Sequence, residues 1–359
     1  MCQLSIGHYL RQLSLDPVDY WLHNEVIADA FVTLARRYRF DGILVNLPGR
    51  VAHAERFVDY VERRGSDQFI HWRGDGVCRC PDGELPMHVE GPRPAVTDLD
   101  PELLYYEDPH TLGGLKYPFF YDLEPSEEFF PDSVFAILHL VLAQVGGELS
   151  VHSEVFSPFT QLMERLGYEQ GLIALVEEPK RCHAILERFA MGASDLAARQ
   201  AACGVDAVLI SSAFAGAGFI SRTMYQEFVL PYESQVVAAI HKAGVRAYTH
   251  TCGAIGDRLE LMAQTGIDGI DTMDPPPLGD TDLADARRRV GDRLFLKGNL
   301  DSVNVLLRGS VEDVRRSALE RLEAMRGAPG YILSSACSVA PAVPPENLMV
   351  LVEVAEQFA

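Results

Sequence analysis

No run of the chain is apolar for long enough to cross a membrane. The longest, such as VFAILHLVLAQV (Val134 to Val145), stop well short of the roughly 20 residues a span needs. No basic-then-apolar stretch opens the sequence, so no secretion signal is read and a cytoplasmic location is expected. Positive charge is scarce. Lys and Arg number 31 against 51 Asp and Glu, a formal net charge of −20, which argues against broad binding to nucleic acid or to an anionic membrane. A disulfide framework is not indicated either, because seven cysteines, an odd count without a secretion signal, point to reduced thiols. Neither an internal repeat of fixed period nor a low-complexity tract is found.

What remains is the composition of a soluble globular protein, 48% hydrophobic and 23% charged. A length of 359 residues suits two domains or one large α/β barrel. Short apolar runs rich in β-formers recur, each followed by a segment of helical periodicity, which predicts parallel strands with crossover helices. Eight such runs are read: QLSIGHY (3–9), DGILVNL (41–47), ELSVHSE (148–154), DAVLISS (206–212), VRAYTH (245–250), DGIDTM (268–273), LFLKGN (294–299) and YILSSA (331–336). Helices are predicted over NEVIADAFVTLARRYRF and over SVEDVRRSALERLEAMRG, the second capped by Ser310 and ending at Gly327. Eight βα units predict a single (β/α)8 barrel, one domain over 1–359. Ser66 to Asp132 carries many Pro, Gly and aromatic residues and little periodicity, so residues 66–131 are expected to form an insertion after the second strand that acts as a lid.

Chemistry in such a barrel sits at the carboxyl ends of the strands. Those ends carry His8, Asn46, His152 and Glu154, Ser211 and Ser212, His250 and Cys252, Asp271 and Asp274, Asn299 and Asp301, and Cys337. Taken singly, each reads first as a cap or a satisfied buried polar group. His250 and Cys252 say more together, because residues two apart on an extended segment face the same side and can grip one ion. A lone His-x-Cys is also compatible with a buried thiol beside a hydrogen-bonded histidine. Cys337, just past the last strand, shifts the balance: one nitrogen and two sulfurs suit zinc, with one position left for substrate or a fourth ligand. Zinc so bound can hold a substrate thiol deprotonated, or act as a Lewis acid on an ether or hydroxyl oxygen.

Weaker features are Cys78 and Cys80 in CRC, read as free surface thiols; FAGAGFIS (214–221), read as close backbone packing near a flat ligand or as a simple turn; and Pro275 to Pro277, read as a rigid loop shaping the mouth.

The stretches THTCGAIGDRLELMAQTGIDGIDTMD, LFLKGNLDSVNVLLRGSVEDV and YILSSACSVAPAVPPENL, with SRTMYQEFVLPY before them, resemble the uroporphyrinogen decarboxylase superfamily, and within it the zinc-dependent corrinoid methyltransferases. The similarity is specific from about Asp206 onward. It implies a TIM barrel, zinc held by His250, Cys252 and Cys337, and transfer of a methyl group between a corrinoid and a thiol acceptor or a methyl-ether donor. The catalytic set is read as these three ligands, His250, Cys252 and Cys337, with Glu154 added from its strand-end position. Residues placed as substrate-binding are His8, Asn46, His152, Phe214, Asp271 and Asn299; Glu154, His152 and His8 are candidates for a fourth ligand or proton handler, on strand-end position alone. The implied partner is a separate corrinoid protein or free cobalamin. A homodimer is compatible with this. The decarboxylases proper carry an arginine-rich N-terminal segment, an Asp after the second strand and a His near the last; here the second strand ends NLPG and the last gives Cys337. Decarboxylation is therefore the alternative, and a non-catalytic zinc-binding barrel a second one.

Overall fold

The computed structural model describes residues 1–73, 76–84, 87–88, 93–107 and 129–358, with the side chains of 87 and 88 left aside. The N-terminal run expected as the first strand is instead mostly helix. Leu4 makes one parallel bridge to Val339, and the helix Ile6–Leu13 begins at once behind it. The cause is local: the Ser5 side chain accepts from the backbone N–H of His8 and so caps a helix where a strand would have continued.

The first true strand is β1 (Gly42–Val45), reached through the helix Asn24–Arg37. An antiparallel sheet follows, formed by β2 (Val58–Arg64), β3 (Asp67–Trp72), β4 (Val77–Cys80) and β5 (Met87–His88). The insertion therefore starts eight residues before the expected Ser66. β2 and β3 join through Gly65 and Ser66, where Gly65 takes φ +65, a conformation that costs glycine little. This sheet packs on the N-terminal helices: Gln68 Nε2 donates to Asp16 Oδ2 at 2.6 Å, and the Gly83 carbonyl leaves no room for a Cβ at Gly7. Cys78 and Cys80 are fully buried, contrary to their reading as surface thiols. Trp72 Nε1 donates to Cys78 Sγ at 3.1 Å, and burial pushes the two thiols up to about 11 and about 12. Much of the segment expected as a lid, 85–86, 89–92 and 108–128 in particular, lies outside the described residues.

The remaining strands are β6 (Ser150–Phe156), β7 (Ala207–Ser211), β8 (Arg246–His250), β9 (Gly269–Thr272), β10 (Phe295–Leu300) and β11 (Tyr331–Ser335). With β1 they form one parallel seven-stranded sheet in chain order, so the eight expected strands become seven. The sheet is rolled. Gly42 of its first edge and Tyr331, Ile332 and Leu333 of its last line one cavity of about 480 Å³, and Met1 and Cys2 stand between them. Alternation along the strands sorts side chains to two sides. Val208, Ile210, Ala247, Ile270 and Leu296 join the main core under the helices, whereas Leu44, Ala207, Leu209 and Tyr248 form a small separate cluster with Met1 and Phe295 inside the roll. His152, His250, Asp271 and Lys297 share that inner face.

Candidate metal centre

β8 carries Tyr248 and His250 inward, and the chain turns as it leaves the strand. Gly253 takes φ +75, and its N–H donates to Asp274 Oδ2 at 2.7 Å, so the turn that presents Cys252 is pinned from β9's end. A second loop braces it. Ala217 N donates to Ala254 O at 2.7 Å, and a Cβ on Gly216 would stand 2.5 Å from the Cys252 carbonyl oxygen. The FAGAGFIS loop thus uses its glycine for close approach to the ligand-bearing turn. Cys337 arrives two residues past β11.

These elements bring His250 Nε2 to 3.2 Å from Cys252 Sγ, and Cys252 Sγ to 3.8 Å from Cys337 Sγ. All three ligand atoms lie within 4.8 Å of one another, and among the described residues this is the one cluster of its kind. A tetrahedral ion with metal–sulfur bonds of about 2.3 Å sets two sulfurs about 3.8 Å apart, so the pair fits zinc. His250 is buried while the two cysteines are half-buried, which leaves the sulfur side open. The contact between the two sulfurs pushes the Cys337 thiol below its usual range against its burial and pushes Cys252 above it, so the pair favours a single shared negative charge. Burial opposes charge on His250, but Cys252, Asp271 and Cys337 outweigh it and raise the imidazole well above its usual range.

Behind the histidine stands a carboxylate. His250 Nδ1 is 3.6 Å from Asp271 Oδ2, and Asp271 Oδ1 is 2.9 Å from Lys297 Nζ, with all three side chains closed to solvent. Burial works against charge on Asp271, but Lys297 and then His250 keep its pKa below the usual carboxylate range. At 3.6 Å the approach is that of an ion pair and longer than a hydrogen bond; its direction is the one from which a carboxylate commonly orients a metal-ligating histidine through the other ring nitrogen.

The other expected site residues fall elsewhere. Both ring nitrogens of His8 are engaged, Nε2 with Tyr38 Oη at 2.9 Å and Nδ1 with the Ala340 carbonyl at 3.0 Å. His152 faces the roll's interior, bonded to Tyr248 Oη at 2.8 Å and Ser150 Oγ at 3.2 Å, and burial followed by Lys297 pushes it down to about 4. Glu154, two residues further along the same face, is half-buried; neither it nor His152 nor His8 belongs to the ligand cluster. Asn299 spends its amide on the carbonyls of Met273 (2.9 Å) and Thr281 (3.4 Å), which ties β10 to the loop after β9. Asp301 caps the turn that follows β10. Asn46 lies half-buried one residue past β1. Phe214 packs with Tyr168 (4.7 Å between ring centroids) and Phe219 (5.4 Å), whose rings are exposed. Lys297 was missed by sequence reasoning, although a lysine in the middle of an otherwise apolar strand was the available signal.

Fold and site together define an α/β barrel with an open, carboxylate-backed His-Cys-Cys centre at its strand ends. Residues 121–358 match the family described as uroporphyrinogen decarboxylase (URO-D), and the chain belongs to that family. It is 28% identical over 232 residues to the uroporphyrinogen decarboxylase of Alkalilimnicola ehrlichii, covering 62% of this chain and 61% of that protein. With the corresponding protein of Methylococcus capsulatus it shares 31% over 190 residues, 52% of this chain and 51% of that one. The chain thus matches about half to six-tenths of the length of these curated relatives. A solved structure described as a methyltransferase from Methanosarcina mazei superposes with a TM-score of 0.73 over 99% of this chain and 92% of that one, at 16% identity, which is a likeness of fold.

Proposed function

We propose that this protein is a zinc-dependent methyltransferase that moves a methyl group between a corrinoid and a small-molecule thiol or methyl-ether substrate. The observation that carries this is the convergence of His250 Nε2, Cys252 Sγ and Cys337 Sγ with a side left open. Zinc bound there supplies Lewis acidity, which lowers the pKa of an incoming thiol or draws electron density from an ether oxygen. The chain's own residues do the rest. Asp271 orients His250, Asp274 and Gly216 fix the turn that presents Cys252, and the two half-buried sulfurs face the substrate. Glu154, half-buried inside the barrel, is the proposed proton handler. The exposed rings of Tyr168 and Phe219 around Phe214 suit contact with a flat macrocycle. The corrinoid comes from a separate protein or as free cobalamin, and the single domain works in the cytoplasm.

Porphyrinogen decarboxylation is the second reading, favoured by the names of the curated relatives. One experiment separates the two. Mixed with methylcobalamin and a thiol, or with cob(I)alamin and a methyl ether, the protein is expected to change the corrinoid's visible spectrum and to leave uroporphyrinogen intact. Steady formation of coproporphyrinogen with no corrinoid change would reverse the ranking.

A further inference from the structure

His250, Asp271 and Lys297 occupy one rung of the sheet: His250 is the register partner of Asp271 and Asp271 that of Lys297. Their side chains turn to the inner face, so three adjacent strands contribute one row of imidazole, carboxylate and ammonium. The row has a direction. Asp271 gives Oδ2 to the His250 side at 3.6 Å and Oδ1 to Lys297 Nζ at 2.9 Å.

Nothing in the sheet's pairing calls for a lysine at 297. Backbone hydrogen bonds hold β9 to β10 whatever the side chain, and the small inner cluster of Leu44, Leu209, Tyr248 and Phe295 shows that apolar residues fill this interior. Lys297 is 1% exposed, and a buried ammonium is retained against a large desolvation cost. Its ammonium pairs with the Asp271 oxygen that faces away from the ligand, so the ion pair fixes the carboxylate's rotation and with it the oxygen that meets His250 Nδ1.

We propose that Lys297 is a positioning residue for the metal centre: it anchors Asp271 Oδ1, so that Oδ2 holds His250 with Nε2 turned to the two sulfurs. The inference rests on the zinc reading of His250, Cys252 and Cys337. A lysine that only stabilised the barrel would alter unfolding and leave metal affinity unchanged.

The test uses the full chain, wild type and with Lys297→Met, Asp271→Asn or both, and reads zinc affinity by competition with a chelator. Outer partners of metal-bound histidines are worth about 10- to 100-fold in affinity, and each single substitution is expected to lose that much. Because the two residues act in series, the double substitution is expected to bind no more weakly than Asp271→Asn alone. Wild-type affinity in a folded Lys297→Met chain, or losses that multiply in the double, overturns the inference while leaving the zinc site intact. If Lys297→Met fails to fold, Lys297→Gln serves in its place, because its amide gives the buried carboxylate a polar neighbour without the ion pair: weaker zinc binding than wild type supports the role, and wild-type affinity overturns it. A wild-type chain that takes up no zinc overturns both the inference and the reading beneath it.

Discussion

Cys252 and Cys337 are 85 residues apart in the chain, yet their sulfurs stand 3.8 Å from one another. The separation spans β9, β10 and β11, so the rolling of the parallel sheet is what closes it. A site built on two strand ends inherits the rigidity of the sheet, and its failure modes follow from what braces each end.

The brace at Cys252 is testable at Gly216. A Cβ there would stand 2.5 Å from the Cys252 carbonyl oxygen, a backbone atom that cannot swing aside. Gly216→Ala is expected to cost about 1–3 kcal/mol in urea unfolding and to weaken zinc binding, because the displaced strand end carries a ligand. Wild-type stability and zinc affinity in this variant would show that the loop does not support the turn.

Thiol reactivity reports the same site from another side. Cys2, Cys78, Cys80 and Cys182 are buried, whereas Cys252 and Cys337 are half-buried and are held by metal in the proposed site. Removing metal from the native protein with a chelator is expected to add about two fast-reacting thiols per chain. The Cys252→Ser, Cys337→Ser protein should gain none. An unchanged thiol count after chelation would contradict metal protection.

Acid stability isolates His152. Its folded pKa of about 4 lies below the unfolded value of about 6.5, so the native state favours the neutral ring. The sign follows from linkage. This contribution is fully present above pH 6.5 and is lost as pH falls through the window from about 6.5 to about 4, amounting to about 3 kcal/mol. Unfolding of the chelated protein at pH 7 and pH 4.5 is expected to show a larger drop for wild type than for His152→Gln. Equal drops would mean that burial does not depress His152.

Legibility in the sequence followed burial pattern. β6 to β11 were readable because buried parallel strands are short apolar runs between helices, and His250 with Cys252 was readable because a two-residue spacing places both on one side of an extended segment. QLSIGHY misled because its apolar residues suit a strand, while the decisive interaction is the Ser5 cap on His8 N–H. β2, VDYVERR, went unseen because it is largely exposed and carries no alternation to detect. The burial of Cys78 and Cys80 depends on Trp72 and on packing against helices far along the chain, which no local pattern reports. His8 and Asn299 were placed at strand ends for their residue type, and the hydrogen bonds that engage both ring nitrogens of His8 and the amide of Asn299 become visible only in the fold.

The most direct measurement of the central claim is zinc content with sulfur coordination. The purified chain is expected to hold about one zinc, with X-ray absorption showing two sulfurs and one imidazole nitrogen, and a third sulfur when the acceptor thiol is added. Cys252→Ser and Cys337→Ser should each lose most of the metal. Full zinc content in both substituted chains, or a zinc shell without sulfur, would contradict the account.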